Sequence, residues 1–296
     1  MTQLDLGRLG VWGHLDSLAA PDAIGYARRA EELGYGTLWV PETVGREPIA
    51  LLAMLAGATE AINLGTSIVN IWGRDAQSAR MAALTIAEAS GGRFVMGLGV
   101  SHPHLAEKLR GHRFERPLSR MREYLAAYRA AIYRGPSADG APEPPILIAA
   151  LRERMVDLAA TDADGALPYL VTAARVRWMR ARLDAAADGG RPQLAVTLPA
   201  VIGESDDRQA ARAYLKPYLR TPTYQASWAL QGFDASDWAP PGSDRLVDAT
   251  VAIGSAVLVH QRIGAMHAAG ADHVAIIPLS PDGTTENAAT LEQLVR

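Results

Sequence analysis

Apolar positions along the chain fall into two alternating kinds of run, short β-branched or aliphatic stretches and longer stretches with helical spacing. Residues 6–12 alternate as a first strand, and residues 21–33 then set Ile24, Ala27, Ala30 and Leu33 on one helical face. Pro21 suits the first turn of that helix and Gly34 a left-handed stop. Residues 36–40 make a second strand ending at Pro41-Glu42-Thr43, and 47–59 a second helix. The unit then repeats most legibly. A β-branched run over 63–69 ends at Asn70-Ile71-Trp72-Gly73-Arg74, residues 75–90 have helical period, and Gly91-Gly92 breaks the chain before a fourth strand over 93–100 that delivers Ser101 and His102.

After a long connection, 102–117, the spacing predicts a helix over 118–133, a Pro- and Gly-rich turn over 135–145, and an all-apolar fifth strand over 146–150 of the kind buried on both faces. A helix over 152–161, a short strand over 164–167, a helix over 173–187 and a seventh strand over 193–202 follow. Then the spacing loosens. About seventy residues with helical segments and a loose loop over 232–244 precede an eighth strand at 272–278 and a closing helix over 285–294. Connections of that length act as lids or binding segments.

The fold expected is α/β, a (β/α)₈ TIM barrel with an extended helical insertion between strands 7 and 8. It occupies 1–296 as one domain, with 203–255 as insertion or lid. An open doubly wound sheet has the same alternation. However, no Gly-x-Gly-x-x-Gly follows a first strand, and Gly97-Leu98-Gly99 lies inside the fourth. In a barrel, chemistry gathers at the carboxyl ends of the strands.

Composition narrows the function classes. Hydrophobic residues make up 49 % of the chain and the net charge is −3, so a large core is available and no basic face invites nucleic acid. Without cysteine there is no disulfide, thiolate ligand or cysteine nucleophile. The first residues do not resemble a signal peptide and no apolar run is long enough to span a membrane, so a cytoplasmic protein is expected. Lys108 and Lys216 are the only lysines among 29 basic residues, a bias typical of a GC-rich, actinobacterial genome.

Five stretches in register across nearly the whole chain resemble the bacterial luciferase-like flavin and deazaflavin oxidoreductases. They are 31–42 (EELGYGTLWVPE), Leu64-Gly65-Thr66, 90–99 (SGGRFVMGLG), Ala163-Asp164-Gly165 and Gly270-Ala271-Asp272-His273-Val274. Residues 70–75 and 99–102 are similar to an actinobacterial, mycobacterial-type branch assigned to coenzyme F420. The resemblance implies a TIM barrel that holds a tricyclic ring across the end of strand 3, with a non-proline cis peptide at Val69–Asn70 or an adjacent bond. It also implies a small-molecule substrate and a homodimer. The cofactor expected is F420, with FMN and monooxygenase chemistry as the alternative.

Candidate catalytic residues are Glu42, where the family carries an acid near the ring, and His102. Many relatives place a histidine directly after that acid; this chain has Thr43, which turns attention to His102, whose unperturbed pKa near ~6.5 suits proton transfer. Trp12, Asn70, Ile71 and Ser101 are candidate ring contacts. Ala150, Leu151 and Arg152, at the start of the helix after strand 5, are candidates for the phosphate, although Arg152-Glu153 replaces the Gly-Pro pair of similar sequences. Basic residues from Lys108 to Arg122 are either a shoulder for an acidic cofactor tail or a solvated face laced with Glu107, Glu115 and Glu123. His102-Pro103-His104 alone is too little for a metal centre, and no metal is expected. A metal-dependent hydrolase barrel and a non-catalytic binding barrel remain the rival readings.

Overall fold

In the computed structural model, which describes residues 4–137, 143–203, 208–280, 282–285 and 288–295, eight parallel strands form the frame. They are β1 (Leu9–Trp12), β2 (Thr37–Val40), β3 (Asn63–Thr66), β4 (Phe94–Gly99), β5 (Ile146–Ile148), β6 (Gly165–Ala166), β7 (Gln193–Ile202) and β8 (His273–Leu279). β8 pairs with β1 through Leu9↔Val274 and with β7 through His273↔Ala195, so the sheet closes on itself and the open doubly wound alternative falls away. Two short strands at the carboxyl end, Val69–Asn70 and Ala252–Gly254, extend the pairing of β4 and β7.

Alternation along the strands sorts the side chains. Leu38, Leu64, Phe94, Ile148, Val196 and Val274 face outward into the layer beneath the helices. Trp39, Val95, Leu147, Leu167, Ala195 and Ala275 fill the barrel axis. The Trp39 indole is wholly buried, and a Cβ on Gly65 would lie 2.5 Å from it. His273 is held by the same ring: Trp39 Nε1 donates to His273 Nε2 at 2.9 Å, while Nδ1 lies 2.7 Å from the Gly7 carbonyl. That pair of contacts assigns the proton to Nδ1. β4 approaches β3 just as closely, since a Cβ on Gly97 would sit 1.8 Å from the Thr66 carbonyl oxygen.

Several expectations need correction. β3 stops at Thr66, three residues early, because the chain bulges there before Val69–Asn70 resumes pairing. The non-proline cis bond is Ser67–Ile68, not Val69–Asn70. The stretch 232–244 is not a loose loop: it holds the helix Ala235–Trp238, closed by a reciprocal cap between Asp234 and Asp237 and braced by Arg245 on Asp237. A four-residue helix leaves no periodicity to read. Residues 102–117 likewise contain a single π-helical turn, Leu105–Leu109. Residues 138–142 of the Pro- and Gly-rich turn, 204–207 of the insertion and 286–287 of the closing helix lie outside the described residues.

Between β7 and β8 run the helices Arg208–Leu215, Pro222–Ala229, Ala235–Trp238, Asp244–Thr250 and Ala256–Ala268. The first four build a second core, with Leu219, Trp228, Phe233, Leu246 and Val247 packed on Leu170, Val201, Ile277 and Leu279 at the strand ends. This core roofs the β6–β8 side of the barrel mouth.

Candidate active site at the barrel mouth

The bulge after β3 is the centre of the mouth. Ile68 packs onto the barrel-axis cluster, as does Trp12 from the end of β1, whose indole Nε1 donates to the Ser67 carbonyl at 3.0 Å. Beyond the bulge, Asn70 works as a buckle. Its Oδ1 accepts the N–H groups of Trp72 (3.0 Å) and Gly73 (2.7 Å), folding residues 70–73 into a tight turn. Its own N–H and Nδ2 donate to Glu42 Oε2 at 2.6 and 2.7 Å.

Glu42 is therefore enclosed by donors. Arg110 reaches Oε1 at 2.9 Å and Arg74 reaches both oxygens at 3.3 Å, and the carboxylate is only 7 % exposed. Its oxygens are committed to internal partners, an arrangement that holds the β3 tail. Arg110, one of the basic residues after β4, points inward to this clasp. Ile71 is buried behind it and belongs to the outer core.

On the β4 side, Ser101 takes a left-handed backbone conformation, φ 57°, and Leu170 after β6 takes another, φ 54°. Such conformations cost a residue with a Cβ about 1–2 kcal/mol and concentrate at functional sites. Ser101 turns the chain so that His102 packs against Tyr224 of the insertion, ring centroids 5.4 Å apart, and the exposed His104 stacks on it at 6.0 Å. His102 Nδ1 is buried without a hydrogen-bond partner. Burial, with His104 adding to it, pushes the His102 imidazole down to about 4, so the ring is neutral at pH 7 and its unperturbed value no longer describes it. Tyr169, Tyr218 and Tyr224 meet edge to face at 5.2–5.8 Å, and the Tyr169 and Tyr214 hydroxyls bond each other. Burial raises the Tyr169, Tyr214 and Tyr224 phenols well above their ordinary value, so these three stay neutral.

At the end of β5, Ala150 is buried, Leu151 half-buried and Arg152 exposed. Arg152 is the N-cap of the helix Glu153–Thr161 and offers no side-chain cap. Arg175, which sequence reasoning passed over, is nearly buried, donates to the Leu151 carbonyl at 2.7 Å and stacks on Trp178 at 3.8 Å. Nothing in its helical surroundings marked it out. The basic shoulder is largely self-compensated: Arg113 pairs with Glu115, and Arg116 and Arg120 with Glu123, all exposed and so of little energetic weight.

His14 and Asp16 were also missed as a pair. His14 Nε2 lies 3.6 Å from Asp16 Oδ2, and Asp16 accepts the Thr43 hydroxyl. Among the described residues no group of three His, Asp or Glu is placed to hold a metal ion, and no helix is long and apolar enough to cross a membrane. A cavity of about 400 Å³, lined by Arg80, Glu143, Asp164 and Arg191, opens at the opposite, amino-terminal end of the barrel, away from these residues.

Comparison with known proteins gives this mouth its context. The luciferase-like monooxygenase family matches residues 2–273. The chain belongs to that family. A Mycobacterium tuberculosis protein provisionally named coenzyme F420-dependent oxidoreductase is 30 % identical over 251 residues, covering 72 % of this chain and 70 % of the relative. Among solved structures, an F420-dependent secondary alcohol dehydrogenase in complex with an F420-acetone adduct superposes with a TM-score of 0.76 at 14 % identity, covering 97 % of each chain. The FMN-bound oxygenating constituent of 3,6-diketocamphane monooxygenase from Pseudomonas putida superposes at 0.70 and 16 % identity, covering 98 % of this chain and 96 % of that one. At those identities the likeness shows the shared barrel fold alone.

Proposed function

We propose that this luciferase-like protein is a coenzyme F420-dependent oxidoreductase acting on a small organic molecule at the barrel mouth. The observation that carries the reading is the pairing of an apolar shelf, Trp12 and Ile68, with a buried ring nitrogen, His102 Nδ1, that lacks a protein partner. A flat heteroaromatic ring with polar edges satisfies both, and the mycobacterial relative points to F420 as that ring. Bound there, F420 supplies a ring carbon that exchanges a hydride with the substrate.

The chain's own residues do the rest. Glu42 and Asn70 clasp the β3 tail, the Trp12 indole fixes the bulge from the β1 side, and the tyrosine wall with Trp228 keeps water from the β6–β8 side. Asn70, Ser101 and His102 are the residues proposed to border the ring, with Ile71 behind them in the outer core, and Ala150, Leu151 and Arg152 the phosphate, through the uncapped N–H groups at the start of the helix Glu153–Thr161. A homodimer belongs to the same reading, and sedimentation equilibrium measures it.

The FMN-bound neighbour supports a second reading on the same scaffold, an oxygen-activating monooxygenase. Titration of the purified chain with each cofactor, followed by fluorescence, separates the two. F420 is expected to bind and FMN to bind more weakly; preference for FMN with no affinity for F420 overturns the proposal.

A further inference from the structure

Thr43 stands where similar sequences carry a histidine, and its surroundings show where an imidazole has gone instead. The Thr43 hydroxyl donates to Asp16 Oδ2, and the same oxygen lies 3.6 Å from His14 Nε2, in ion-pair range. The carboxylate is built into the loop after β2. Asp16 Oδ1 accepts the Arg46 N–H at 3.0 Å, while the Arg46 guanidinium is spent on the Leu18 carbonyl. A Cβ on Gly45 would lie 2.5 Å from the Asp16 carboxyl carbon, so that loop leaves a notch the carboxylate fills.

His14 is correspondingly placed. Trp12 and His14, two residues apart on an extended segment, turn to the same side, and their rings stack 15° from parallel with centroids 6.3 Å apart. Trp12 touches both the barrel-axis cluster and the roof. His14 thus lies one layer further out, and it is 34 % exposed against 13 % for Asp16. An imidazole at the mouth, held by a fixed carboxylate and backed by an aromatic face, is the arrangement that positions a proton-transfer group.

We propose that His14, oriented by Asp16 and Thr43, moves the substrate proton in this chain, in place of a histidine at position 43. The assignment rests on the F420-oxidoreductase reading. For an alcohol, the carbinol C–H bond breaks and the hydrogen leaves with its electron pair to F420, which is reduced. The hydroxyl proton passes to the His14 imidazole, and the O–H electrons close the carbonyl, so the alcohol is oxidised to a ketone. The imidazolium then returns its proton to water; reduction of a ketone runs the same steps backwards.

The test uses the full chain, with F420 binding followed by fluorescence and the histidine rings by ¹⁵N NMR. In the parent, F420 is expected to shift the His14 ring signals, assigned by their loss in His14→Asn, and Asp16→Asn to change their tautomer balance. His14→Asn should keep its F420 affinity yet lose about 10²–10⁴-fold in turnover of a secondary-alcohol panel, with partial recovery in His14→Asn/Thr43→His. Saturating F420 that leaves the His14 signals unmoved, or His14→Asn turning over like the parent, overturns the assignment and leaves the functional reading standing. A parent chain that does not bind F420 removes that reading and this assignment together.

Discussion

Glu42→Gln tests whether the clasp at the end of β3 is a structural anchor. Both Glu42 oxygens face only donors: two N–H groups of Asn70 at 2.6 and 2.7 Å on one, Arg110 at 2.9 Å on the other, and Arg74 across both. Glutamine has the same shape but replaces one acceptor by an NH₂ group, so in either orientation a donor is driven against donors in a site 7 % exposed. The orientation that keeps both Asn70 contacts turns the NH₂ group onto Arg110 and Arg74, and losing those two charge-assisted contacts at about 1.5 kcal/mol each gives a cost of about 3 kcal/mol. Arg74 keeps Glu47 as a second partner. For 296 residues the unfolding entropy near the midpoint is roughly 0.6 kcal/mol/K, so Tm should fall by about 5 °C. Denaturant and thermal unfolding at neutral pH measure this, with an F420 titration alongside to report loosening of the mouth. A variant within about 0.5 kcal/mol of the parent refutes the anchor. Unchanged stability with collapsed turnover would instead make Glu42 a participant in the chemistry.

The remaining expectations are more local. Burial holds His273 at about 4 when folded, below its unfolded value near ~6.5, so the unfolded chain binds the extra proton between those values. Stability from this group is full above about pH 6.5 and falls by roughly 3 kcal/mol as pH drops toward 4, with His102 adding in the same direction; an NMR midpoint for His273 near its unfolded value would refute it. Gly97→Ala should fail to fold, because its Cβ would sit 1.8 Å from the Thr66 carbonyl oxygen, and a soluble variant with the parent circular dichroism and Tm would contradict that packing. Tyr224→Ala should open the roof over His102 and let its pKa rise from about 4 toward the ordinary range; an NMR titration unchanged from the parent would show that Tyr224 does not shield it.

Period counted eight βα units and the missing Gly-x-Gly-x-x-Gly favoured a barrel over an open sheet, while the loss of spacing after residue 202 marked the insertion. Elements are legible this way because a strand buried on both faces and a helix with one apolar face each impose their own repeat on the chain. The quoted motifs are partly fasteners of the fold. Glu31 accepts the N–H groups of Glu60, Ala61 and Ile62, and Arg93 reaches the Thr59 and Ile62 carbonyls, tying together the amino-terminal end of the barrel. Glu31 and Arg93 lie at that end, away from the mouth, whereas Glu42 of the same first motif reaches it.

Which residues lie near the strand ends was thus written in the sequence: Trp12 and Asn70 end a strand, and Glu42, Ser101, His102 and Arg152 follow one. What each can do was decided by partners distant along the chain. Glu42 became enclosed because Asn70, Arg74 and Arg110 come from two other strand ends, and His102 lost its basicity because Tyr224, more than a hundred residues later, folds over it. His14 gains its setting only where Thr43 and Asp16 meet beside it. Periodicity is a property of neighbours in sequence, whereas desolvation and charge pairing depend on separations in space that only barrel closure sets.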